Sequence, residues 1–373
     1  MPRYASMIKE GMIKRGHSVQ IWTPKPYFYN LPLRCALKKW LGYLDQYVLF
    51  PLEVKLKLKE CTTDTLFVFA DQALGPWVPL VRDRSHIVHC HDFLALKSAL
   101  GIVPENITGT TGKIYQNFIR KGFSKGKNFI SISQKTQDDL HSLHQGKIEI
   151  SEVVYNGLNR PFQQLDRDKS RVTLGDQLQL DLSKGYVVHV GGNQYYKNRK
   201  GVIEIYSAWR LTSQFNLPLL LIGEAPSTEL EGVFQNSPFK NDIHFIAGLG
   251  DDYINKAYSG ANCLLFPSLD EGFGWPIAEA MACGCPVITT DEAPMTEVAG
   301  QVAFLISRKP MNPVLVNDWA VNSAKQISKI MELSVEERQL CVNAGFNQVK
   351  KFNTAASLDK IEEFYELVLN TKK

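Results

Sequence analysis

Two carboxylates and two glycines are spaced along one short segment in a way that suits a bound ligand. Glu271 and Glu279 stand eight positions apart, and Gly272 and Gly274 lie between them, shortly before Pro276. Proline is well tolerated at the start of a helix, where its missing N–H is not needed, so we predict a loop that enters a helix at Pro276. Glycines let the backbone approach a ligand closely, and the N-terminus of a helix attracts an anion. The segment therefore favours phosphate binding.

The two carboxylates need a different partner from the phosphate. A carboxylate aimed at a phosphate would be repelled, so we interpret Glu271 and Glu279 as acceptors for neutral hydroxyl groups on the same ligand. A nucleotide sugar, with a diphosphate at its centre and a sugar at each end, has this arrangement. The alternative is that both acids only complement the dipole at a helix start.

A second glycine-containing loop carries the positive charge that a diphosphate requires. It follows a strand predicted at residues 186–190 and contains two glycines and three cations: Gly191, Gly192, Lys197, Arg199 and Lys200. Glycines after a strand, followed by cations at the mouth of a helix, are typical of a diphosphate site. Gly223, after another apolar run, is expected to lie near the nucleotide.

The elements that position these loops are short apolar strands alternating with helical segments. This alternation predicts an α/β fold with parallel sheets. At 373 residues, with 44% hydrophobic residues, the chain suits two domains. Tyr4, Ile8 and Met12 recur at helical spacing, and residues 19–23 are predicted to form a strand.

Charge and cysteine content limit the functional classes. The formal charge of +4 is too small to favour a nucleic-acid binder. The seven cysteines are odd in number and scattered, which predicts reduced core residues of a cytosolic protein. Cys283 and Cys285 have no second ligand pair nearby, so zinc is not expected. The chain shows neither a run of eighteen apolar residues nor a signal segment, and is expected to be neither spanning nor secreted.

The segment from Glu271 to Glu279, E-G-F-G-W-P-I-A-E, resembles the E-x7-E signature of retaining glycosyltransferases with the two-domain GT-B fold. The match includes the preceding strand and the following A-M-A-C-G-C-P-V-I. It implies two Rossmann-like, doubly wound parallel-sheet domains facing a cleft. The acceptor-side domain would cover residues 1–160, the donor-binding domain 180–350, with a linker over 158–183 and a C-terminal helix 355–373 packing back on the first. In this family a strand and a glycine-rich loop precede a helix like residues 2–15, so the first strand is expected to be missing.

The resemblance also implies roles for residues of the donor-binding domain. Lys197 matches the family's K-N element, whose lysine grips the leaving diphosphate. The family often has an arginine where this chain has Gly192, and Arg199 or Lys200 would substitute for it. Glu271 would hold sugar hydroxyls and Glu279 the ribose. Further substrate contacts are expected from glycines and aromatic residues of the two loops and the strand end near the nucleotide: Gly191, Gly192, Gly223, Gly272, Phe273, Gly274 and Trp275.

A histidine and an aspartate end a strand predicted at residues 86–92. His91 and Asp92 resemble the H-D step of the family's acceptor domain, and His91 would face the transferred sugar. The alternative is a histidine hydrogen-bonded in the core. His89 and His91 share a strand face but provide too few ligands for a metal. We interpret Asp166-Arg167-Asp168 as a solvated loop rather than a metal-binding D-x-D, and therefore expect metal-independent chemistry.

A basic and aromatic segment occupies residues 31–60. Its charged and aromatic residues include Arg34, Lys38, Lys39, Trp40, Tyr43, Tyr47, Lys55, Lys57 and Lys59. Such a segment suits peripheral contact with an anionic membrane surface, where lipid-linked acceptors are found. The alternative is a solvated helix face.

We therefore expect a hexosyltransferase that moves mannose or glucose from a GDP- or UDP-linked donor to a glycan or lipid-linked acceptor, with retention of configuration and no cofactor. The expected setting is bacterial surface polysaccharide synthesis, in the cytoplasm or on the inner face of the membrane. The alternatives are a nucleotide-sugar epimerase of the same fold and an inactive nucleotide-sugar-binding partner subunit. A Rossmann dehydrogenase is disfavoured, because no G-x-G-x-x-G follows the first predicted strand.

Overall fold

The chain forms two compact units in the computed structural model, which describes residues 2–32, 35–158 and 160–371. The first unit comprises residues 1–155 and 355–373, and the second comprises residues 156–354. Each contains a parallel sheet flanked by helices, so the predicted fold class is confirmed. None of the described helices combines the length and the apolar composition needed to cross a membrane.

The first unit is built around a four-stranded parallel sheet in the order β1-β2-β3-β4. The strands are β1 (Phe67–Phe69), β2 (His86–Cys90), β3 (Asn128–Ser131) and β4 (Ile150–Val153). The helices are α1 (Pro2–Lys14), α2 (Cys35–Leu44), α3 (Phe50–Lys57), α4 (Leu94–Ala99), α5 (Thr110–Phe123) and α6 (Gln134–Leu143). A π-helical turn (Asp45–Leu49) joins α2 to α3, and a 3₁₀ segment (Gln72–Val81) follows β1.

The predicted helix at the start of the chain is present, but the strand predicted after it is not. Tyr4, Ile8 and Met12 of α1 are buried on one face, as their spacing predicts. Residues 17–26 form neither helix nor strand, and most of them are exposed. A strand needs a hydrogen-bonded neighbour as well as β-forming residues, and residues 19–23 pair with no strand in the described part of the chain.

The second unit contains a six-stranded parallel sheet in the order β10-β9-β8-β5-β6-β7. The strands are β5 (Val187–Gly191), β6 (Leu219–Gly223), β7 (Ile243–Ala247), β8 (Cys263–Phe266), β9 (Val287–Thr290) and β10 (Phe304–Ile306). The helices are α7 (Arg167–Leu178), α8 (Arg199–Thr212), α9 (Thr228–Gln235), α10 (Asp251–Gly260), α11 (Trp275–Ala282), α12 (Met295–Ala299), α13 (Val316–Met331) and α14 (Val335–Val349). Short 3₁₀ turns are formed by Tyr195–Lys197, Lys240–Asp242, Pro313–Leu315 and Lys350–Phe352.

The stretch predicted as a linker, residues 158–183, lies in the second unit and includes α7. The prediction of a solvated loop at residues 166–168 is therefore wrong. Asp166 caps α7, because its side chain accepts the Lys169 backbone N–H, and Asp168 lies in the first turn. An aspartate that caps a helix and an aspartate in a solvated loop look alike in sequence.

The last helix, α15 (Thr354–Asn370), returns the chain to the first unit from residue 355 onward. Its apolar face, including Ile361 and Phe364, packs in one cluster with Tyr4 and Ile8 of α1. Inside that cluster the Tyr4 hydroxyl lies 2.8 Å from His89 Nδ1, and the Tyr365 hydroxyl lies 2.8 Å from His89 Nε2. This buried trio links α1, β2 and α15.

The sheet of the second unit reverses its strand order beside β5. From β5 the chain first adds β6 and β7 on one side, and later adds β8, β9 and β10 on the other. Ligands of open α/β sheets bind outside the carboxyl ends of the strands at such a reversal. The two loops predicted to bind a diphosphate leave β5 and β8, which are neighbours in the sheet.

Candidate functional site

A buried ion pair joins the two predicted phosphate loops. Lys197 Nζ lies 2.8 Å from Glu271 Oε1. The Ser268 hydroxyl donates to the same oxygen at 2.9 Å. Glu271 is 6% exposed, and Ser268 is fully buried. The structure therefore brings together the cation predicted for the diphosphate and the acid predicted for the sugar, at the carboxyl ends of adjacent strands.

The surroundings of this pair set its charge state. Burial raises the pKa of the Glu271 carboxyl, while Lys197 and the Ser268 hydroxyl lower it by stabilising the ionised form. The Lys197 ammonium also lies over the rings of Phe266, 5.2 Å from the centroid, and Tyr196, at 5.4 Å. Aromatic faces attract a cation, so the lysine is held by two rings as well as by the carboxylate.

Asn198 ties the two loops together, a role that the sequence analysis did not assign. Its backbone is left-handed, with φ 50° and ψ 42°, and its side-chain oxygen caps α8 by accepting the Gly201 N–H at 3.1 Å. Its amide nitrogen donates to the Pro267 carbonyl at 2.8 Å. Asparagine is favoured both as a helix cap and in left-handed backbone, so the sequence signal was an asparagine directly before a helix.

Two of the predicted glycines are required by the backbone itself. A Cβ at Gly223 would lie 2.2 Å from the carbonyl oxygen of Gly191, and Gly223 has φ +146°. The carboxyl ends of β5 and β6 approach so closely that no side chain fits there. Gly274 has φ +97° and immediately precedes α11, which begins at Trp275 with Pro276 in its first turn. The predicted loop-to-helix entry is thus present.

The other two predicted cations take different positions. Arg199 is 4% exposed, and its Nη1 donates to Asn193 Oδ1 at 2.5 Å and to the Glu224 carbonyl at 2.9 Å. Glu224 in turn accepts the backbone N–H of Asn193 at 3.0 Å, and this hydrogen bond fixes the position of the loop after Gly192. Lys200 is exposed. Lys197 is the cation paired with Glu271, while Arg199 supports the loop.

Glu279 lies on α11 and is held by a tyrosine from the neighbouring helix α10. The Tyr258 hydroxyl donates to Glu279 Oε2 at 3.0 Å. Burial, reinforced by the Glu279 charge, raises the pKa of Tyr258 well above its ordinary value, so the phenol stays protonated and donates. Tyr258 is another site residue that the sequence analysis missed, and no local pattern distinguishes it from a core tyrosine.

The aromatic residues of the E-x7-E segment divide between core and surface. The Phe273 ring is 2% exposed and packs against Trp275, with ring centroids 5.2 Å apart, and against Phe352, at 5.3 Å. Trp275 and Gly272 are half-buried. The structure therefore gives the Phe273 side chain a packing role.

The first unit places the predicted histidine at the end of β2. His91 Nε2 lies 2.8 Å from the Ala70 carbonyl, and the Tyr4 ring meets the imidazole edge-on with centroids 4.5 Å apart. Burial lowers the pKa of His91, so the ring is neutral near pH 7, with the Nε2 proton donated to the carbonyl and the lone pair at Nδ1. Asp92 Oδ1 accepts the Leu94 N–H at the start of α4.

Comparison with known proteins finds a family match within the second unit. Residues 172–347 match the model of the family described as glycosyl transferases group 1. The chain is 26% identical over 172 residues to the O-antigen chain mannosyltransferase B of Escherichia coli, covering 46% of this chain and 42% of that protein. It is 25% identical over 218 residues to the O-antigen chain mannosyltransferase RfbU of Salmonella typhimurium, covering 58% and 56%. The chain thus spans about half the length of these relatives.

A solved structure shows the same fold over most of the chain. Anabaena HepE, crystallised with UDP and glucose, superimposes with a TM-score of 0.66 at 19% sequence identity, covering 95% of this chain and 88% of that one.

Proposed function

We propose that this chain, which carries a glycosyl transferase group 1 domain at residues 172–347, moves a hexose from a nucleoside-diphosphate sugar to a glycan or lipid-linked acceptor with retention of configuration. The observation that carries the proposal is the buried Lys197–Glu271 pair at the strand reversal. Two relatives, both O-antigen chain mannosyltransferases, support a mannose-type sugar and surface polysaccharide synthesis. HepE, which holds UDP and glucose, supports a nucleotide-linked donor.

Lys197 and the start of α11 would stabilise the leaving group. As the bond between the sugar C1 and the diphosphate oxygen breaks, negative charge grows on the diphosphate. A fixed ammonium and the backbone N–H of Trp275 offset that charge without having to reorganise. The acceptor oxygen bonds to C1 on the same face, and its proton passes to a donor phosphate oxygen, so a nucleoside diphosphate leaves.

The two acids would orient the ends of the donor. Glu271, fixed by Ser268, accepts hydroxyl groups of the transferred sugar, and Glu279, fixed by Tyr258, accepts the ribose hydroxyls. In the first unit, His91 is proposed to contact the sugar. Its neutral state suits a hydroxyl rather than a phosphate partner.

We propose that the reaction needs no metal ion and no cofactor. The one D-x-D sequence considered for a metal is engaged otherwise, because Asp166 caps α7 and Asp168 lies 3.7 Å from Arg171. Transfer in the presence of EDTA at the untreated rate is the expected result.

The test is an assay of transfer from GDP- and UDP-linked mannose and glucose to a lipid-linked or glycan acceptor. The released nucleoside diphosphate is the quantity measured. Lys197→Met should lower turnover at least a hundredfold, in line with the loss of one fixed transition-state donor. Glu271→Gln should also lower turnover, because the amide is a weaker acceptor for the sugar hydroxyls than the carboxylate and no longer pairs with Lys197. Lys200→Met removes an exposed cation of the same loop and should transfer at the normal rate. Normal transfer by Lys197→Met would refute the assignment. Sugar conversion without an acceptor would identify an epimerase, and binding of the donor without turnover would identify an inactive partner subunit.

A further inference from the structure

An exposed apolar stripe runs along the helical segment formed by α2, the π-helical turn and α3. Six large apolar side chains on it are exposed, by 42% at Leu44 to 67% at Trp40: Leu37, Trp40, Leu44, Val48, Leu52 and Leu56. On the other side of the same segment, Phe50 and Val54 are buried in the first unit. Exposed apolar residues are normal when scattered, but a contiguous set marks an interaction surface.

The π-helical turn keeps this stripe in line. In an α-helix, residues four apart advance by about 40° around the axis, so a stripe at positions 40, 44, 48, 52 and 56 would wind away from one face. The wider turn at Asp45–Leu49 takes back part of that advance. Asp45 is buried inside the turn and accepts the backbone N–H groups of Phe28 and Tyr29. The turn is therefore anchored by a specific side chain.

Helix α5 extends the same surface. The hydroxyls of Tyr47 and Tyr115 lie 2.9 Å apart, and the rings of Tyr47 and Phe118 meet edge-on at 5.3 Å. Beside these contacts, α5 exposes Ile114 by 66% and Phe118 by 44%. We refer to residues 35–59 together with residues 110–123 as the stripe surface.

The stripe surface holds more positive charge than the whole chain. Residues 35–59 contain five lysines and two acids, and residues 110–123 contain two lysines, one arginine and no acid, which gives a formal charge of +6. The complete chain has a formal charge of +4, so the remainder carries −2. Lys39 and Lys55 stand exposed near opposite ends of the apolar stripe. Arg34, which the sequence analysis included in this basic segment, lies outside the described residues.

We propose that the stripe surface docks on an anionic lipid bilayer, with the apolar side chains entering the boundary between headgroups and acyl chains and the lysines contacting the headgroups. Helices that lie in this boundary combine one apolar face with flanking lysines and aromatic rings, as this surface does. Its charge complements an anionic leaflet. A second copy of the chain is disfavoured as the occupant, because a symmetric dimer would set a surface of +6 against the same surface.

This inference does not depend on the proposed reaction, and it is tested by cosedimentation of the full chain with vesicles. Vesicles of phosphatidylcholine with phosphatidylglycerol should retain the protein at low salt, whereas vesicles of phosphatidylcholine alone should retain much less, and added salt should release it. Since each lysine near an anionic surface contributes about fivefold, Lys39→Gln with Lys55→Gln should weaken partitioning roughly 25-fold. Trp40→Ser with Leu44→Ser should weaken it as well.

Matched controls use exposed residues of the second unit. Lys240→Gln with Lys325→Gln removes two exposed lysines, and Val335→Ser with Leu340→Ser removes two apolar side chains that are 82% and 68% exposed. Both controls should bind as the wild type does, and circular dichroism should show all variants folded. The proposal is overturned if anionic vesicles retain no protein, if stripe variants bind as well as the controls, or if sedimentation velocity shows a dimer that the stripe variants convert to monomer.

Discussion

The sharpest prediction concerns the charge left behind when Lys197 is replaced. Lys197→Met keeps most of the length of the side chain but removes the ammonium, which lies 2.8 Å from Glu271 Oε1 and 5.2 Å from the centre of the Phe266 ring. Burial already raises the pKa of Glu271, and Lys197 is the largest influence that opposes it. Without the lysine the pKa of Glu271 should rise further, because an unpaired carboxylate in this position has lost its counter-charge.

The loss of stability can be bounded from the carboxyl's own titration. At worst, folding forces Glu271 to take up a proton, which costs about 1.4 kcal/mol for each pH unit above its ordinary pKa of about 4.3. The bound is therefore about 3.7 kcal/mol at pH 7 and about 1 kcal/mol at pH 5. A carboxyl with a raised folded pKa binds its proton more readily in the folded state, so stability falls as pH rises through the interval between the unfolded and folded pKa. Lys197→Met should thus approach the wild type at acidic pH and diverge from it at neutral pH.

Urea unfolding of four proteins at pH 5 and pH 7 tests this reasoning. Lys197→Met should lose stability mainly at pH 7, and Lys197→Met with Glu271→Gln should regain most of that loss, because the amide has no charge to bury. Lys200→Met, the exposed neighbour, should follow the wild type at both pH values. The reasoning is refuted if Lys197→Met is equally destabilised at both pH values, or if the double variant is no more stable than Lys197→Met at pH 7. Both variants that lack Lys197 should remain poor transferases, which separates stability from catalysis.

Two further substitutions address residues that hold the site together. Asn198→Ala removes the cap of α8 and the bond to the Pro267 carbonyl, so it should cost about 1–2 kcal/mol of stability in urea unfolding and weaken donor binding in calorimetry; unchanged donor affinity would show that the loops hold their positions without it. Tyr258→Phe removes the hydroxyl bound to Glu279 and should weaken donor binding by roughly tenfold or more, from loss of a hydrogen bond to a charged group. If Glu279 holds the ribose, this loss should shrink for a donor whose ribose lacks its hydroxyl groups, and an equal loss for both donors would contradict that role.

The sequence allowed the main elements of the second unit to be predicted because their signals are local. A buried parallel strand is a short apolar run, and a loop that must carry left-handed backbone or a close approach contains glycine, as at Gly274 and Gly223. That Lys197 and Glu271 would lie near each other could also be predicted, since both follow strands and resemble known motifs. That both would share one ion pair was not predictable, because the distance between them depends on the strand order of the sheet.

The predictions that failed or were never made depend on neighbours distant in sequence. Residues 19–23 have strand-forming composition but no partner strand in the described structure, and Asp166 has the composition of a loop but caps a helix. Ser268 and Tyr258 act by orienting an acid, and such roles are set by the packing of separate elements. The two members of the ion pair were easier to predict from sequence than the residues that hold them in place.

The pairing of Lys197 with Glu271 also bears on which ligands the site should distinguish. In the structure the two groups satisfy each other, so a ligand that takes one of them must also compensate the other. A free nucleoside diphosphate would draw the ammonium toward its phosphates and leave a buried carboxylate beside new negative charge, which is unfavourable. A sugar attached to the diphosphate brings hydroxyl donors to that same carboxylate. If Lys197 binds the diphosphate and Glu271 the sugar, as proposed, the ion pair would couple the two recognition events, and the complete donor should bind more tightly than a free nucleoside diphosphate.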